Sequence, residues 1–162
     1  MHEKGNWMVS TRGKMFRLGK FIESEITILH LDDHDLFSEG INCGCIKPFF
    51  PNARVVRFHN GDKAYEYIRS SLQRLVVPDL IITDINHLGM PGHEFVKAVR
   101  ELEANNGRQK LIPIVVLSFA SENHDYLKRP GMACEVLSKC SDISEIVEAM
   151  ECALFDRVSS DD

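Results

Sequence analysis

Acidic side chains stand directly after two apolar segments of the chain. Residues 26–31 are followed by the pair Asp32 and Asp33, and residues 80–82 lead through Thr83 to Asp84. Such apolar, partly β-branched runs are typical of strands buried on both faces of a parallel sheet. Proteins that alternate strands and helices place their chemistry just outside the carboxyl ends of such strands. The three carboxylates are therefore candidates for chemistry at one edge of a sheet.

The pair Asp32 and Asp33 has two interpretations. Adjacent carboxylates repel each other unless a cation lies between them, and a hard divalent cation such as Mg²⁺ binds carboxylate oxygens readily. Alternatively, the pair is a solvated acidic turn in which aspartate caps the following helix. The pair alone does not decide between these two interpretations.

The elements that must position these residues follow from hydrophobic periodicity. Five predicted strands alternate with five predicted helices, a pattern that indicates a parallel sheet covered on both faces. We predict strands at residues 26–31, 53–58, 80–84, 112–117 and 133–137, and helices at 35–49, 62–76, 93–104, 122–128 and 142–155. Right-handed crossovers favour a flavodoxin-like (βα)5 three-layer sandwich with the strand order 2-1-3-4-5.

Two of these helices carry an apolar stripe that we expect to face the core. The stripe of the second helix comprises Ala64, Tyr67, Ile68, Leu72 and Leu75, and that of the last helix comprises Ile143, Ile146, Val147, Met150 and Leu154.

The predicted strand order brings the ends of the first and third strands side by side. Asp32, Asp33 and Asp84 would then meet in one crevice, and Ser118 and Lys139 would enter it from the ends of the flanking strands. Taken alone, Lys139 would be a surface lysine and Ser118 a strand-end turn residue. Their joint position at strand ends is a far more specific feature than any one of the five.

This set of groups suits phosphoryl transfer to a carboxylate. Asp84 would attack the phosphorus of a donor, as carboxylates do in aspartyl-phosphate chemistry. Lys139 would offer a mobile positive charge to the phosphoryl oxygens, and Ser118 would offer a hydroxyl group to another oxygen.

We expect Mg²⁺ to be the cofactor of this transfer. Asp33, Asp84 and the backbone carbonyl of Asn86 would hold the ion, and Asp32 would help mainly through a bound water. The ion would neutralise the nucleophile and the oxygens of the transferred group.

At this point a resemblance to a known family is plain. The stretch from Ile26 to about Leu154 resembles the receiver domain of two-component response regulators. Residues 31–41, Leu-Asp-Asp-His-Asp-Leu-Phe-Ser-Glu-Gly-Ile, look like the opening of the LuxR/NarL-type subgroup, and residues 136–139, Val-Leu-Ser-Lys, match its closing segment. The resemblance implies that Asp84 accepts a phosphoryl group from a histidine kinase or a phosphotransfer protein. It further implies that the chain catalyses only its own phosphorylation and dephosphorylation, and that Ser118 moves toward the phosphate to switch protein contacts.

The sequence departs from the family pattern around this site. His87 and Leu88 stand where the family usually has Met-Pro, and the run from Met90 to Gly92 is displaced, although Gly92 keeps the register of the loop glycine. Other departures are Cys140 in place of proline, Val136 in place of an aromatic switch residue, and Pro130, which shortens the fourth helix. These changes leave the predicted phosphorylation site whole but affect the usual output mechanism.

Composition bounds the remaining expectations. The 162 residues carry a net charge of -5, which gives no reason to expect direct DNA binding, and no apolar run is long enough to span a membrane. Five cysteines without a secretory signal favour reduced thiols in a cytoplasmic protein. We divide the chain into a basic extension (1–25), a receiver domain (26–156) and a frayed tail (157–162), with no output domain.

Three alternatives compete with a stand-alone phosphoacceptor. The chain could be a degenerate receiver that acts as a phosphorylation-independent interaction module, or the excised receiver half of a LuxR-type transcription regulator. A haloacid-dehalogenase-type phosphatase would need a second aspartate two places after the nucleophile, where this chain has Asn86. The downstream partner stays unknown, and a homodimer is left open.

Overall fold

The computed structural model describes residues 7–9, 15–17 and 25–158, and it describes side chains from residue 25 to 155. The strands are β1 (Trp7–Val9), β2 (Met15–Arg17), β3 (Thr27–Leu31), β4 (Arg54–Phe58), β5 (Leu80–Asp84), β6 (Ile114–Ser118) and β7 (Glu135–Ser138). The α-helices are α1 (Asp35–Ile41), α2 (Lys47–Phe49), α3 (Gly61–Gln73), α4 (Gly92–Asn105) and α5 (Ile143–Val158). A π-helical segment, Asn42–Ile46, joins α1 to α2, and a 3₁₀ helix, Ser121–Lys128, lies between β6 and β7.

Five of the strands form one parallel sheet in the order β4-β3-β5-β6-β7. Counted from the first strand of this sheet, that is the predicted order 2-1-3-4-5, and the flavodoxin-like prediction is confirmed. Leu31 pairs with Thr83, and Asp84 pairs with Leu117. This register places the residues after β3, at the end of β5 and at the end of β6 along one edge of the sheet.

Two hydrophobic clusters cover the two faces of the sheet. The first packs α5 and the π-helical segment against one face, through residues such as Ile46, Ile82 and Met150. The second packs α3 and α4 against the other face, through residues such as Ile68 and Phe95. Alternate residues of each central strand supply the two clusters, which is why β5 and β6 are buried along their whole length and are apolar up to Ile82 and Leu117.

The prediction that Leu75 and Ile143 face the core is wrong, because both side chains are exposed. Leu75 lies beyond the end of α3, where the backbone has turned to φ 57° and the side chain is 89% exposed. The helix ends at Gln73, so the periodicity that carried the prediction to residue 75 no longer applies. Ile143 is 51% exposed, because it is the first residue of α5 and the helix meets the sheet only from Ile146 onward.

The structure adds features that the sequence did not predict. β1 and β2 pair antiparallel within the basic extension, and the apolar side chains of that extension lie outside the described side chains. At the other end, α5 continues to Val158, two residues into the predicted tail. No helix in the described part of the chain is both long enough and apolar enough to cross a membrane.

Candidate functional site

Asp84 is held at the carboxyl end of β5 by its own loop. Its side chain is almost buried, and its Oδ1 atom accepts a hydrogen bond from the backbone N–H of Ile85 at 2.6 Å. The hydroxyl group of Thr83 donates to the backbone carbonyl of Asp84 at 2.8 Å. Gly92 passes so close that a Cβ atom there would collide with that same carbonyl oxygen. The strand, one hydrogen bond from the loop and a turn that only glycine fits therefore position this carboxylate from its own segment of the chain.

Asp32 lies beside Asp84 at the end of the neighbouring strand β3. It is 1% exposed, its backbone N–H donates to the carbonyl of Phe58 at 3.0 Å, and its Oδ1 atom accepts from the backbone N–H of His34 at 2.8 Å. Asp33, the next residue, is exposed. The pair therefore presents one buried and one solvent-facing carboxylate.

Lys139 joins the two buried carboxylates. Its Nζ atom lies 2.6 Å from Oδ2 of Asp32 and 2.8 Å from Oδ2 of Asp84, and its side chain is 1% exposed. Its backbone N–H donates to the carbonyl of Ser118 at 2.9 Å, which fixes the start of the loop after β7. A buried charge is tolerated only when it is paired in this way. Lys139 thus belongs to the site, and it is not the surface lysine that its sequence position alone suggests.

Two aromatic rings lie against the ammonium group. The Nζ atom of Lys139 is 4.4 Å from the ring centre of Phe37 and 5.3 Å from that of Phe119. The two rings are 6.3 Å apart, and Phe119 is 66% exposed. At these distances the ring faces attract the ammonium group. The rings form an apolar rim beside the carboxylates.

The three carboxylates are candidate ligands of a hard divalent cation. Oxygen atoms from Asp32, Asp33 and Asp84 all lie within 4.8 Å of one another, and no other such group of metal-ligating side chains occurs among the residues described. Lys139 supplies one positive charge against three negative charges, so the cluster retains a net negative charge. Oxygen donors with a residual negative charge are what Mg²⁺ prefers.

Ser118 and Asn86 lie next to this cluster, but the structure gives neither side chain a contact with its members. Ser118 ends β6 next to Asp84 in the register, it is buried, and its Oγ atom accepts a hydrogen bond from the backbone N–H of Ala120 at 3.2 Å. Asn86 is exposed in the loop that follows β5. The structure thus brings together four predicted residues, Asp32, Asp33, Asp84 and Lys139. It places Ser118 on the adjacent strand and Asn86 in the adjoining loop.

Two histidines near the cluster have lowered pKa values. Burial, with the positive charges of Arg57 and Lys139, lowers the pKa of His30 to about 4. Burial also lowers the pKa of His87, against the opposing effects of a hydrogen bond with the backbone carbonyl of Leu88 and of the three nearby carboxylates. His30 is therefore neutral at physiological pH and adds no charge to the site.

Sequence reasoning missed Phe37, Phe119 and His30 as neighbours of the site. An aromatic residue directly after Ser118 was visible in the sequence, but nothing showed that its ring would lie near Lys139. His30 occupies an otherwise apolar strand, and its position two residues before Asp32 was the available signal.

Comparison with known structures identifies the fold. No protein-family model matches the sequence, and a comparison with curated proteins finds no match.

Several solved structures do match this chain. The signal receiver domain of the response regulator NarL from Mycobacterium tuberculosis is 28% identical with a TM-score of 0.62, over 80% of this chain and 97% of that one. The receiver domain of AraT, a response regulator from Geobacillus stearothermophilus, is 20% identical with a TM-score of 0.63, over 85% and 98% of the two chains. The phosphorylated cyanobacterial phytochrome response regulator RcpA is 20% identical with a TM-score of 0.58, over 85% and 96%.

The fold is therefore that of a response-regulator receiver domain. The resemblance noted in the sequence is confirmed at this level, since the structural neighbours are receiver domains. The match to NarL is consistent with the LuxR/NarL-type subgroup.

Proposed function

We propose that this chain is a phosphoacceptor receiver in two-component signalling, with Asp84 as the residue that takes the phosphoryl group. The observation that carries the proposal is the position of Lys139, whose ammonium group bridges Asp32 and Asp84 at 2.6 and 2.8 Å while Asp33 completes the carboxylate cluster. Nothing in the packing of a flavodoxin-like sheet requires a buried lysine at that point. A cation there would stabilise the charge of a phosphoryl group on Asp84.

These positions support the following proposed reaction. A carboxylate oxygen of Asp84 attacks the phosphorus of a phosphohistidine, an O–P bond forms, the P–N bond breaks, and the electron pair returns to the imidazole of the donor. Lys139, already within 2.8 Å of Asp84, is placed to pair with an oxygen of the group that arrives. The Oγ atom of Ser118 accepts from the N–H group of Ala120 and retains its own hydroxyl proton, which it can donate to another oxygen of that group. On this proposal Ser118 moves toward the phosphoryl group, as the family resemblance implies.

Mg²⁺ is the proposed cofactor, with Asp33 and Asp84 as direct ligands, the carbonyl of Asn86 as a third, and Asp32 in support. When bound, the ion neutralises the charge of the cluster and of the transferred oxygens. On this proposal the chain is no enzyme toward other substrates, since it catalyses only its own phosphorylation and dephosphorylation. Its partners are a histidine kinase or a phosphotransfer protein in the cytoplasm, and a downstream protein of unknown identity.

Incubation with acetyl phosphate and Mg²⁺, followed by intact-mass measurement, tests the proposal. We expect a gain of about 80 Da, one phosphoryl group on a carboxylate, in the parent chain and none in Asp84→Asn. Chelation of Mg²⁺ should abolish the gain in the parent. The matched control is Asp62→Asn, an exposed aspartate in α3, which should be phosphorylated like the parent.

Two results would contradict the proposal. A parent chain that gains no mass with acetyl phosphate or with a phosphorylated histidine-containing donor would favour a degenerate receiver that acts without phosphorylation. Steady release of phosphate from simple phosphomonoesters would favour a phosphatase.

A further inference from the structure

A cavity of about 650 Å³ opens at the amino ends of the parallel strands, whereas the carboxylate cluster lies at their carboxyl ends. Its walls come from the segments that lead into β6 and β7, including Ile112, Pro113 and Cys134, with Ala153 of α5 behind them. Ser118 ends β6 and Lys139 directly follows β7, so both lie at the carboxyl ends of these two strands, and Asp84 ends the neighbouring strand β5. The cavity is thus a separate site, and its volume is in the range typical of small-molecule pockets.

The lining of this cavity is cationic in a chain whose net charge is negative. Arg100, Lys110, Lys128 and Arg129 all contribute to it, and its described lining contains no aspartate or glutamate. The other lining residues are largely apolar, among them the partly exposed Leu111 and the half-buried Met132. The cavity therefore combines apolar lining residues such as Leu111 and Met132, which we call its floor, with the exposed cations Lys128 and Arg129, which we call its rim.

Buried polar contacts hold the wall of the cavity in place. Arg100 donates from Nε and Nη2 to the carbonyl of Met132, at 2.8 and 2.5 Å, and from Nη1 to Glu103 at 2.6 Å. Glu103 is fully buried, and it also accepts from the backbone N–H of Ile112 at 2.5 Å. These bonds tie α4 to the segments before β6 and β7. The cavity is preformed, and Arg100 is already neutralised by Glu103.

The charges best placed to attract a ligand are those of Lys128 and Arg129. Lys128 has an ion pair with Asp125 at 3.0 Å, but both side chains are about half exposed or more, and such pairs contribute little. The structure gives the guanidinium group of Arg129 no carboxylate partner among the described residues. An anion at the rim would meet two cations that are not already committed to strong buried pairs.

We propose that this cavity binds a small organic anion, a carboxylate or sulfonate attached to an aromatic or aliphatic body. The body would lie on the apolar floor near Leu111 and Met132, and the anionic group would face Lys128 and Arg129. An inorganic anion alone would leave the apolar floor unused, and a neutral apolar molecule would leave the cationic rim unpaired. The proposal does not depend on phosphorylation of Asp84.

The test uses 8-anilinonaphthalene-1-sulfonate, which carries a sulfonate on an aromatic body and fluoresces when its rings leave water. We expect saturable binding of one molecule per native chain, together with a rise in the melting temperature. N-phenyl-1-naphthylamine, the same body without the sulfonate, should bind at least tenfold more weakly. Equal affinity for both probes would overturn the proposal, because it would show that the rim contributes nothing.

Substitutions of lining residues test whether the sulfonate probe binds in this cavity. Lys128→Ala combined with Arg129→Ala should weaken the sulfonate at least tenfold, and both residues are exposed, so we expect the variant to fold. The matched control, Lys63→Ala with Lys97→Ala, removes two exposed cations that do not line the cavity and should bind like the parent. Leu111→Gln should also weaken binding, because it takes apolar surface from the floor.

Three further results would overturn the proposal. These are an absence of saturable binding in the parent, unchanged affinity in Lys128→Ala/Arg129→Ala, and full displacement of the probe by sulfate. Displacement by sulfate would reveal a simple anion site with no use for an organic body.

Discussion

At the scale of single residues, the ammonium group of Lys139 determines the electrostatics of the site. It lies within 3 Å of two carboxylates that are both nearly buried. Without it, Asp32 and Asp84 would repel each other in a region that water barely reaches. The buried pair and its lysine must therefore be considered as one unit.

Lys139→Met retains most of the side-chain volume but removes the charge. We expect the free energy of unfolding at neutral pH, in the presence of a chelator, to fall by about 3 kcal/mol, since the variant leaves buried carboxylates uncompensated. Urea denaturation measures this value. Lys97→Met, at an exposed position, is the control and should change stability little. Addition of Asp32→Asn should restore part of the loss. Equal stability of parent and Lys139→Met would show that the pairing does not matter.

The lowered pKa of His30 predicts that the stability of the protein depends on pH. Its pKa is about 4 in the folded protein, against the ordinary histidine value of 6.5, so the unfolded chain binds a proton first as the pH falls. His30 therefore lowers stability progressively as the pH drops from 6.5 to 4, by up to about 3 kcal/mol. Denaturation of the parent and of His30→Leu over this range, without divalent ions, should give a smaller slope in the variant. The same slope in both proteins would contradict the assignment, and the partly exposed His93, changed to leucine, is the control.

At the scale of elements, the loop between β5 and α4 depends on Gly92. A Cβ atom there would lie 2.7 Å from the Cα atom of Ile85 and would collide with the carbonyl of Asp84. The N–H group of Gly92 also donates to the carbonyl of Ile85 at 2.8 Å. The turn that follows Asp84 is thus built on a close approach of two backbone segments.

Gly92→Ala should lower the free energy of unfolding by about 2 kcal/mol, because the loop must move to admit the methyl group. The matched control is Gly40→Ala in α1, where nothing lies within 4 Å of the added carbon. That change should raise stability by up to about 1 kcal/mol, since glycine is unfavourable inside a helix. Thermal or urea denaturation measures the stability of both variants. Similar changes in Gly92→Ala and Gly40→Ala would contradict the role given to Gly92.

The element scale also shows what the sequence could and could not predict. All five strands of the parallel sheet were located to within a few residues, because buried parallel strands are continuous apolar runs bounded by turn residues. The π-helical segment Asn42–Ile46 was not predicted, because helical periodicity does not distinguish an extra residue inside a helix. The prediction that Leu75 faces the core was wrong for a related reason, since periodicity cannot show where the backbone leaves the helix.

At the scale of the whole molecule, the strand order brings residues from distant segments to one edge of the sheet. Asp32, Asp84 and Lys139 were predicted as neighbours, because parallel strands have their carboxyl ends at the same edge. The aromatic contacts of Lys139 and the cavity at the opposite edge were not predictable. They depend on how loops fold back, and no local pattern encodes that.

If the cluster binds Mg²⁺ in the folded state alone, the ion should stabilise the whole domain. At a free concentration ten times the dissociation constant, the expected gain is about 1.4 kcal/mol. Melting curves recorded at increasing MgCl₂ should rise for the parent and stay level for Asp33→Asn. Asp62→Asn should behave like the parent. A parallel rise in Asp33→Asn would mean that the ion acts elsewhere.

The most direct test of the central claim is to find the residue that carries the phosphoryl group. After treatment with acetyl phosphate and Mg²⁺, reduction with borohydride converts an aspartyl phosphate to homoserine, and peptide mass mapping then identifies the position. We predict conversion at Asp84 alone, and its loss in Lys139→Met or after removal of Mg²⁺. Conversion at another aspartate, or none at Asp84 in a chain that has gained the phosphoryl mass, would contradict the account.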